Sequence, residues 1–285
     1  MARLTPLLFV LLWSSGFIGA KLGLPYAEPL TFLLLRYLLV IALLSLLALA
    51  TRAPWPRDVR QIAHIGVSGL LVHALYLGGV FTAIHHGLPA GITALVVGIQ
   101  PLLTALVAGL LLGEHVSRRQ WAGLALGFAG VAMVVAHKTG SVELATLGGM
   151  ILPALAALLG ITLGTLYQKR FCPHFDLRTG AVVQFGASAL ATLPVALATE
   201  SMHVQWHGAF VFALGWLVLV LSIGAITLLN LLIRRGSAVN VARLFYLTPP
   251  TTALLAWAMF GETLTGLALA GMAAAVTGVW LAKGR

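Results

Sequence analysis

Ten long apolar runs decide what this chain can fold into. They fall near residues 4–22, 30–50, 62–84, 89–112, 120–136, 145–168, 178–199, 208–233, 238–260 and 264–282, and are called α1 to α10 in that order. A helix needs about 20 apolar residues to cross the roughly 30 Å hydrocarbon layer of a bilayer, so each run is a candidate span. The breakers between them are plain: Pro25 and Pro29, Pro54 and Pro56, Gly87 and Pro89, Pro173, Gly236. Ten spans leave only short loops and tails, with no room for a folded domain outside the membrane. Of the 285 residues 60% are hydrophobic and 8% charged, whereas soluble domains are about 45–50% apolar and about 25% charged. A water-soluble globule is therefore excluded. A spanning barrel would show short alternating segments instead of continuous runs. The expected fold is an all-α polytopic membrane protein with ten transmembrane helices. Arg3, the run Leu4 to Leu12 and the small residues Ser14, Ser15 and Gly16 also outline a cleaved signal peptide. Its removal would break the internal repeat described below.

The formal net charge of +10 comes from 17 Lys and Arg against 7 Asp and Glu. Such an excess can mark a nucleic-acid partner, but its placement says otherwise. Arg3, Arg52, Arg57, Arg60, Arg118, Arg119, Lys169, Arg170, Arg178, Arg234, Arg235, Lys283 and Arg285 all fall on one side when loops are counted alternately, against Lys21 and Lys138 on the other. Basic loops stay cytoplasmic, so both termini are expected inside the cell and no nucleic-acid partner is implied. The single cysteine, Cys172, falls in a loop on that same side, where a free thiol is expected.

Shifting the sequence by 148 residues lays QPLLTALVAGLLLGE, ending at Glu114, over TPPTTALLAWAMFGE, ending at Glu262. Pro101 meets Pro249, and Gly113-Glu114 meets Gly261-Glu262. The same shift pairs Gly123 with Gly271, Gly130 with Gly278, Gly16 with Gly164, Lys21 with Lys169, and Glu28 with Asp176. Two repeats follow, 4–137 with α1 to α5 and 145–282 with α6 to α10. Five is odd, so the second repeat enters the membrane from the opposite side and the pair is inverted. Inverted repeats commonly enclose a mid-membrane substrate site and alternate its access by rocking.

The segments LLWSSGFIGAKLG (11–23), LTFLLLRYLL (30–39), GIQPLLTALVAGLLLGEHVSRRQWAGLALGFAGV (98–131) and LTPPTTALLAWAMFGETLTGLALAGMAAAVTGV (247–279) resemble the EamA domains of the drug/metabolite transporter superfamily. The resemblance covers essentially the whole chain and implies an inner-membrane permease. Among the superfamily's members the chain resembles amino-acid exporters of the YddG type. The pattern is carried by the ensemble of segments and spans many substrates.

Polar groups at bilayer depth need a reason, since an ionisable one at a helix centre costs about 2.5–3.5 kcal/mol on insertion scales. His73 lies in the middle of α3, and Tyr76, three residues on, is placed on the same face of an α-helix. They suit either a small polar ligand or a hydrogen bond between helices. Trp13 lies mid-depth in α1, away from the interfaces tryptophan prefers, so it is expected to face a cavity. Ser14 beside it matches Thr162 of the other repeat and equally suits close packing. In α4, Thr93, Gln100 and Thr104 form one stripe, and Thr248 and Thr252 of α9 are the repeat partners of the last two. Pro101, Pro249 and Pro250 remove backbone donors at mid-depth and are expected to act as hinges. Arg36, a third of the way into α2, is expected to snorkel outward, with the attraction of a substrate carboxylate as the alternative. Gln184 is its repeat partner and a further candidate for substrate contact. Arg243 in α9 is similarly ambiguous. The glycines of α5 and α10 suit a scaffold or a homodimer face.

No phosphate-binding loop and no metal-ligand spacing occurs, so neither cofactor nor metal is expected. Every acidic residue falls at a helix end or in a loop, which argues against proton coupling through a buried carboxylate and leaves His73 or simple facilitation. The reading that fits best is a permease, not an enzyme. It would move small neutral or zwitterionic metabolites, amino acids first among them, by alternating access. An exporter of lipophilic drugs is the nearest rival; an intramembrane enzyme and a non-transporting sensor fit less well.

Overall fold

The computed structural model describes residues 4–88, 90–136, 144–260 and 264–283. The ten runs become α1 (Thr5–Gly23), α2 (Pro29–Ala50), α3 (Val59–His85), α4 (Ala90–Val97 and Gln100–Leu112), α5 (Arg118–Ala136), α6 (Leu144–Phe171), α7 (Leu177–Thr199), α8 (Gly208–Arg235), α9 (Ala238–Ala242, Arg243–Leu247 and Thr248–Phe260) and α10 (Gly266–Leu281). Seven of the described helices are individually long and apolar enough to cross a bilayer. Of the others, α5 opens on Arg118 and Arg119, α9 is in three pieces, and α10 has 16 residues. Arg3, Pro89, Lys138, Glu143, Gly261, Glu262 and Arg285 lie outside the described residues, as does most of the stretch between the two expected repeats.

The packing follows the duplication. α1 rests on α8 and α9, and α6 rests on α3 and α4; α3 crosses α7, and α8 crosses α2; α2 lies against α7, and α5 against α10. Exchanging each helix with its repeat partner turns this set of contacts into itself, as a two-fold pseudo-axis between the halves requires. Small residues set the closest contacts. A Cβ at Gly130 would meet the backbone of Gly271 and Ala275, and one at Gly278 would meet that of Gly123 and Gly127. The glycine faces of α5 and α10 are therefore used against each other within the chain. A homodimer through these helices has only their outer sides, where Leu267, Leu269, Val276 and Trp280 are exposed.

Four helices are irregular, in matching places. α3 is π-helical over Leu70–Leu77 and α8 over Leu217–Ala225, nearly the same window in the two repeats. Glycines of a neighbouring helix accommodate each widened turn. Gly160 and Gly164 of α6 face Leu71, Val72 and Tyr76, while Gly16 and Gly19 of α1 face Leu221 and Leu217. α4 is interrupted at Gly98 and Ile99, and α9 tightens into a 3-10 turn over Arg243–Leu247. Both interruptions immediately precede prolines, Pro101 in one case and Pro249 and Pro250 in the other. Proline lacks the N–H that would continue the ladder into the preceding turn. The continuous spans expected at 89–112 and 238–260 are thus each broken.

Carboxylates tie the halves together at both ends. At the end carrying most of the Lys and Arg, called the basic end, Gly113 closes α4 with φ 66. Glu114 then turns onto the start of α9, accepting from the N–H groups of Ala238 at 2.8 Å and Val239 at 3.4 Å. At the far end Glu200 accepts from the N–H groups of Leu30 and Thr31, both at 2.7 Å. The first turn of a helix has unpaired donors and partial positive charge, so a carboxylate is favourable there. Arg243, ambiguous in sequence, donates to the carbonyl of Val279 and so fastens α9 to α10.

Cys172 at the basic end is buried, which pushes its thiol up to about 11, so its own labelling is a poor reporter of sidedness. In a Cys172→Ala background, Arg57→Cys is expected to react with a membrane-impermeant maleimide only after permeabilisation. His203→Cys at the far end is expected to react in intact cells. The opposite pattern inverts the topology.

Candidate functional site

The irregular segments converge on one place. A narrow cleft lies among α1, α2, α3 and α8, walled by Trp13, Phe17, Arg36, Tyr76, Phe81 and Leu221. A smaller extension shares the rings of Trp13, Phe17 and Tyr76 and is lined beyond them by Val97 and Gly98 of α4 and by Phe245, Thr248 and Pro249 of α9. Both π-helical segments, the break in α4 and the tightened turn of α9 therefore all contribute walls, from both repeats. The wall residues of α1 and α3 come from their far-end portions and Arg36 from the far-end third of α2, so the main cleft occupies the half of the bundle away from the basic end.

Aromatic rings form its floor. Trp13 stacks on Tyr76 with centroids 6.2 Å apart and 13° between planes, and meets Phe245 edge-on at 5.2 Å. Phe9 packs beneath, 5.3 Å from Trp13 and 5.4 Å from Phe245. Offset and edge-to-face arrangements of this kind add about 0.5–1.5 kcal/mol each to simple burial. Below the floor a chain of buried amides closes the basic half. Gln184 donates to Ser68 at 2.9 Å and to Gln168 at 3.2 Å, and Gln168 donates to Asn230 at 2.8 Å. Lys169 reaches the carbonyl of Gly236 and lies 3.9 Å from Glu114.

Of the residues singled out in sequence, Trp13, Tyr76, Thr248 and Pro249 line the cleft or its extension. Ser14 and Thr252 instead join α1 to α9: the Ser14 hydroxyl, besides donating to the Val10 carbonyl of its own helix at 2.6 Å, donates to the Thr248 carbonyl at 3.4 Å, and Thr252 donates to the Ser14 carbonyl at 3.2 Å. Gln100 and Thr104 are buried in α4 with side-chain polar atoms that take no hydrogen bond among the described residues. Gln184 belongs to the amide chain. His73 is not with Tyr76: it stacks on Phe185 of α7 at 4.1 Å, 1% exposed, with neither ring nitrogen hydrogen-bonded among the described residues. A shared face three residues apart holds for an α-helix, and the wider π turn separates the pair. Pro101 and Pro250 lie in the first turns of the helices that resume after the breaks.

Arg36 reverses the sequence expectation. It does not snorkel to the membrane surface but turns inward, 2% exposed, with Nε donating to the Ser222 hydroxyl of α8 at 2.8 Å. No Asp or Glu lies within ion-pair distance of it among the described residues. Of the side chains around the main cleft it is the one that carries a charge. Phe17, Phe81, Leu217 and Leu221 also frame the cleft, and Ser222 holds Arg36 from behind it; none carried a signal in sequence, since such residues look alike on a lipid face and on a cavity wall. Among the described residues no three His, Cys, Asp or Glu side chains gather as metal ligands.

The sequence matches the EamA-like transporter family over residues 2–136 and 148–283. It is similar to the uncharacterised transporter YvbV of Bacillus subtilis, 29% identical over 95% of this chain and 88% of that protein. It is 30% identical to the uncharacterised inner membrane transporter YedA of Escherichia coli, over 90% and 81%. A probable amino-acid metabolite efflux pump of Salmonella typhimurium is 26% identical over 96% and 92%. A crystal structure superposes with TM-score 0.80 at 20% identity, covering 98% of this chain and 96% of the other, and so shares the fold.

In a flux assay, Trp13→Ala and Tyr76→Ala are each expected to lower transport by about tenfold or more at equal membrane abundance, as loss of a buried aromatic contact does. Thr252→Val removes only a bond between α1 and α9 and is expected to cost about 1 kcal/mol of stability, with little change in flux.

Proposed function

Since the chain belongs to the EamA-like transporter family and is a multi-pass membrane protein and not an enzyme, we propose that it is an inner-membrane secondary transporter. Its cargo on this reading is small neutral or zwitterionic metabolites, amino acids first among them, carried outward by alternating access. The observation that carries this reading is the cleft at the junction of the two repeats. It combines aromatic walls with a few polar groups, the usual make-up of a site for a small amphipathic molecule. The relatives named for amino-acid export, including a probable terminal-alkyne amino-acid exporter of Streptantibioticus cattleyicolor at 28% identity, support the substrate class. With the termini cytoplasmic, as the distribution of Lys and Arg favours, the cleft lies in the outer half and the amide chain closes the inner half. That arrangement fits a carrier closed toward the cytoplasm.

Alternating access needs places where helices can bend. The matched breaks before Pro101 and before Pro249 and Pro250 supply them, because backbone groups there are already outside a regular ladder. The hinge roles of Pro101, Pro249 and Pro250 rest on this symmetry.

The test of transport is purified protein in liposomes loaded with L-threonine, L-leucine or L-phenylalanine. Exchange of at least one above protein-free vesicles is expected, and no flux of any overturns the amino-acid reading. Pro101→Ala and Pro249→Ala are each expected to slow that exchange severalfold at unchanged abundance. Wild-type rates in both would end the hinge assignment.

A further inference from the structure

Arg36 is a charged side chain in the wrong place for a purely structural role. A guanidinium has five donors and stays protonated in any protein environment. Burying such a charge without an opposite charge is costly, and native proteins pair nearly all that they bury. Among the described residues Arg36 has one hydrogen bond, from Nε to Ser222, and no carboxylate partner. The Ser222 hydroxyl is itself held, donating to the carbonyl of Leu217 at 3.1 Å. That leaves Ser222 Oγ as a fixed acceptor, so the guanidinium is oriented by one edge while its two terminal nitrogens take no partner among the described residues. They are also not among the buried polar atoms walled off without a bond, and the residue is part of the cleft wall.

We propose that Arg36 binds the carboxylate of the transported molecule, and that a free carboxylate is what this carrier demands of its substrates. The inference rests on the transport reading above and narrows it. A planar fork of two donors matches the two oxygens of a carboxylate, and charge-assisted bonds of this type are among the strongest available. The walls beyond it are Trp13, Phe17, Tyr76 and Phe81, which fit an apolar or aromatic side chain on the same molecule. Among the described residues no carboxylate lines the cleft, so an ammonium group of the substrate has the faces of Trp13 and Tyr76 as its partners. Cations lacking a carboxylate meet only repulsion from Arg36. The proposal therefore separates amino acids and related carboxylates from cationic drugs.

The test uses the full chain in liposomes and measures exchange of L-threonine, L-leucine and L-phenylalanine, each challenged with an excess of itself, its carboxamide and its decarboxylated amine. For wild-type protein the amino acid is expected to compete at least about tenfold better than either analogue, since a charged partner is lost in both. Arg36→Gln is expected to lose exchange by about tenfold or more and to lose the preference with it, while Arg36→Lys keeps the preference at reduced flux. Ser222→Ala frees the guanidinium edge and is expected to weaken competition by the acid without abolishing the preference. If wild-type protein exchanges amino acids yet is inhibited equally by the carboxamides, the Arg36 assignment falls and the transport reading stands. If Arg36→Gln does not assemble, the wild-type competition and Ser222→Ala decide the matter alone. No exchange of any of the three overturns both.

Discussion

A bilayer offers no hydrogen bonds to an open backbone, and the rest of this structure follows from that constraint. Inside hydrocarbon every peptide group must find a partner within the protein, so regular helix is the default and irregular helix is tolerated only where protein surrounds it or a cavity adjoins it. The two π-helical segments, the gap at Gly98 and Ile99, and the 3-10 turn at Arg243–Leu247 all obey this rule. Each contributes to the cleft or its extension through Val72, Tyr76 and Leu77, Leu217 and Leu221, Val97 and Gly98, or Phe245. None faces lipid alone. The places where the backbone departs from a regular ladder are thus the places where a substrate can be met and where helices can bend.

The second organising fact is that carboxylates are kept out of the membrane interior and used at helix starts. Glu114 and Glu200 each cap a helix of the opposite repeat. This explains the Gly-Glu pair that makes the repeat visible in sequence: Gly113 supplies the left-handed turn that ends α4, and Glu114 spends its charge on α9. With acids committed to the ends, no carboxylate among the described residues neutralises Arg36. The repeat motif and the unpaired arginine are two consequences of one distribution of charge.

Much of this was legible in the sequence, for identifiable reasons. Spans are read from runs of apolar residues, and the inverted pair from a shift of 148 that superposes prolines and a Gly-Glu pair. Trp13 was legible because mid-depth tryptophan is out of place. The interruptions of α4 and α9 were half legible: proline announces that a ladder is broken but not that a 3-10 turn precedes it. The π segments were not legible at all, since Leu70–Leu77 and Leu217–Ala225 are as apolar as any regular span, and the glycines that accommodate them lie on other helices. That one gap misplaced His73, whose partnership with Tyr76 assumed α-helical spacing. Arg36 was misdirected for a different reason. Snorkelling is a property of the side chain and its depth, whereas its inward turn depends on Ser222, 186 residues away.

The pseudo-symmetry itself is broken at one informative pair. Arg36 and Gln184 occupy equivalent positions in α2 and α7, and both reach toward the opposite repeat, the first to α8 and the second to α3. On the basic side the neutral amide is joined to Ser68 and Gln168, and the bundle there is closed. On the far side the equivalent position is charged, buried, and part of the cleft wall. A neutral amide can be sealed by other amides, but a guanidinium cannot be sealed by apolar walls without a large desolvation cost. Burying Arg36 without a partner carboxylate is therefore unfavourable, and a bound carboxylate lowers that penalty. On the proposed assignment the same residue that selects the substrate also makes closure depend on its presence, so the loaded carrier crosses between states more readily than the empty one. The difference between one arginine and one glutamine is enough to give a nearly symmetric molecule two unlike ends.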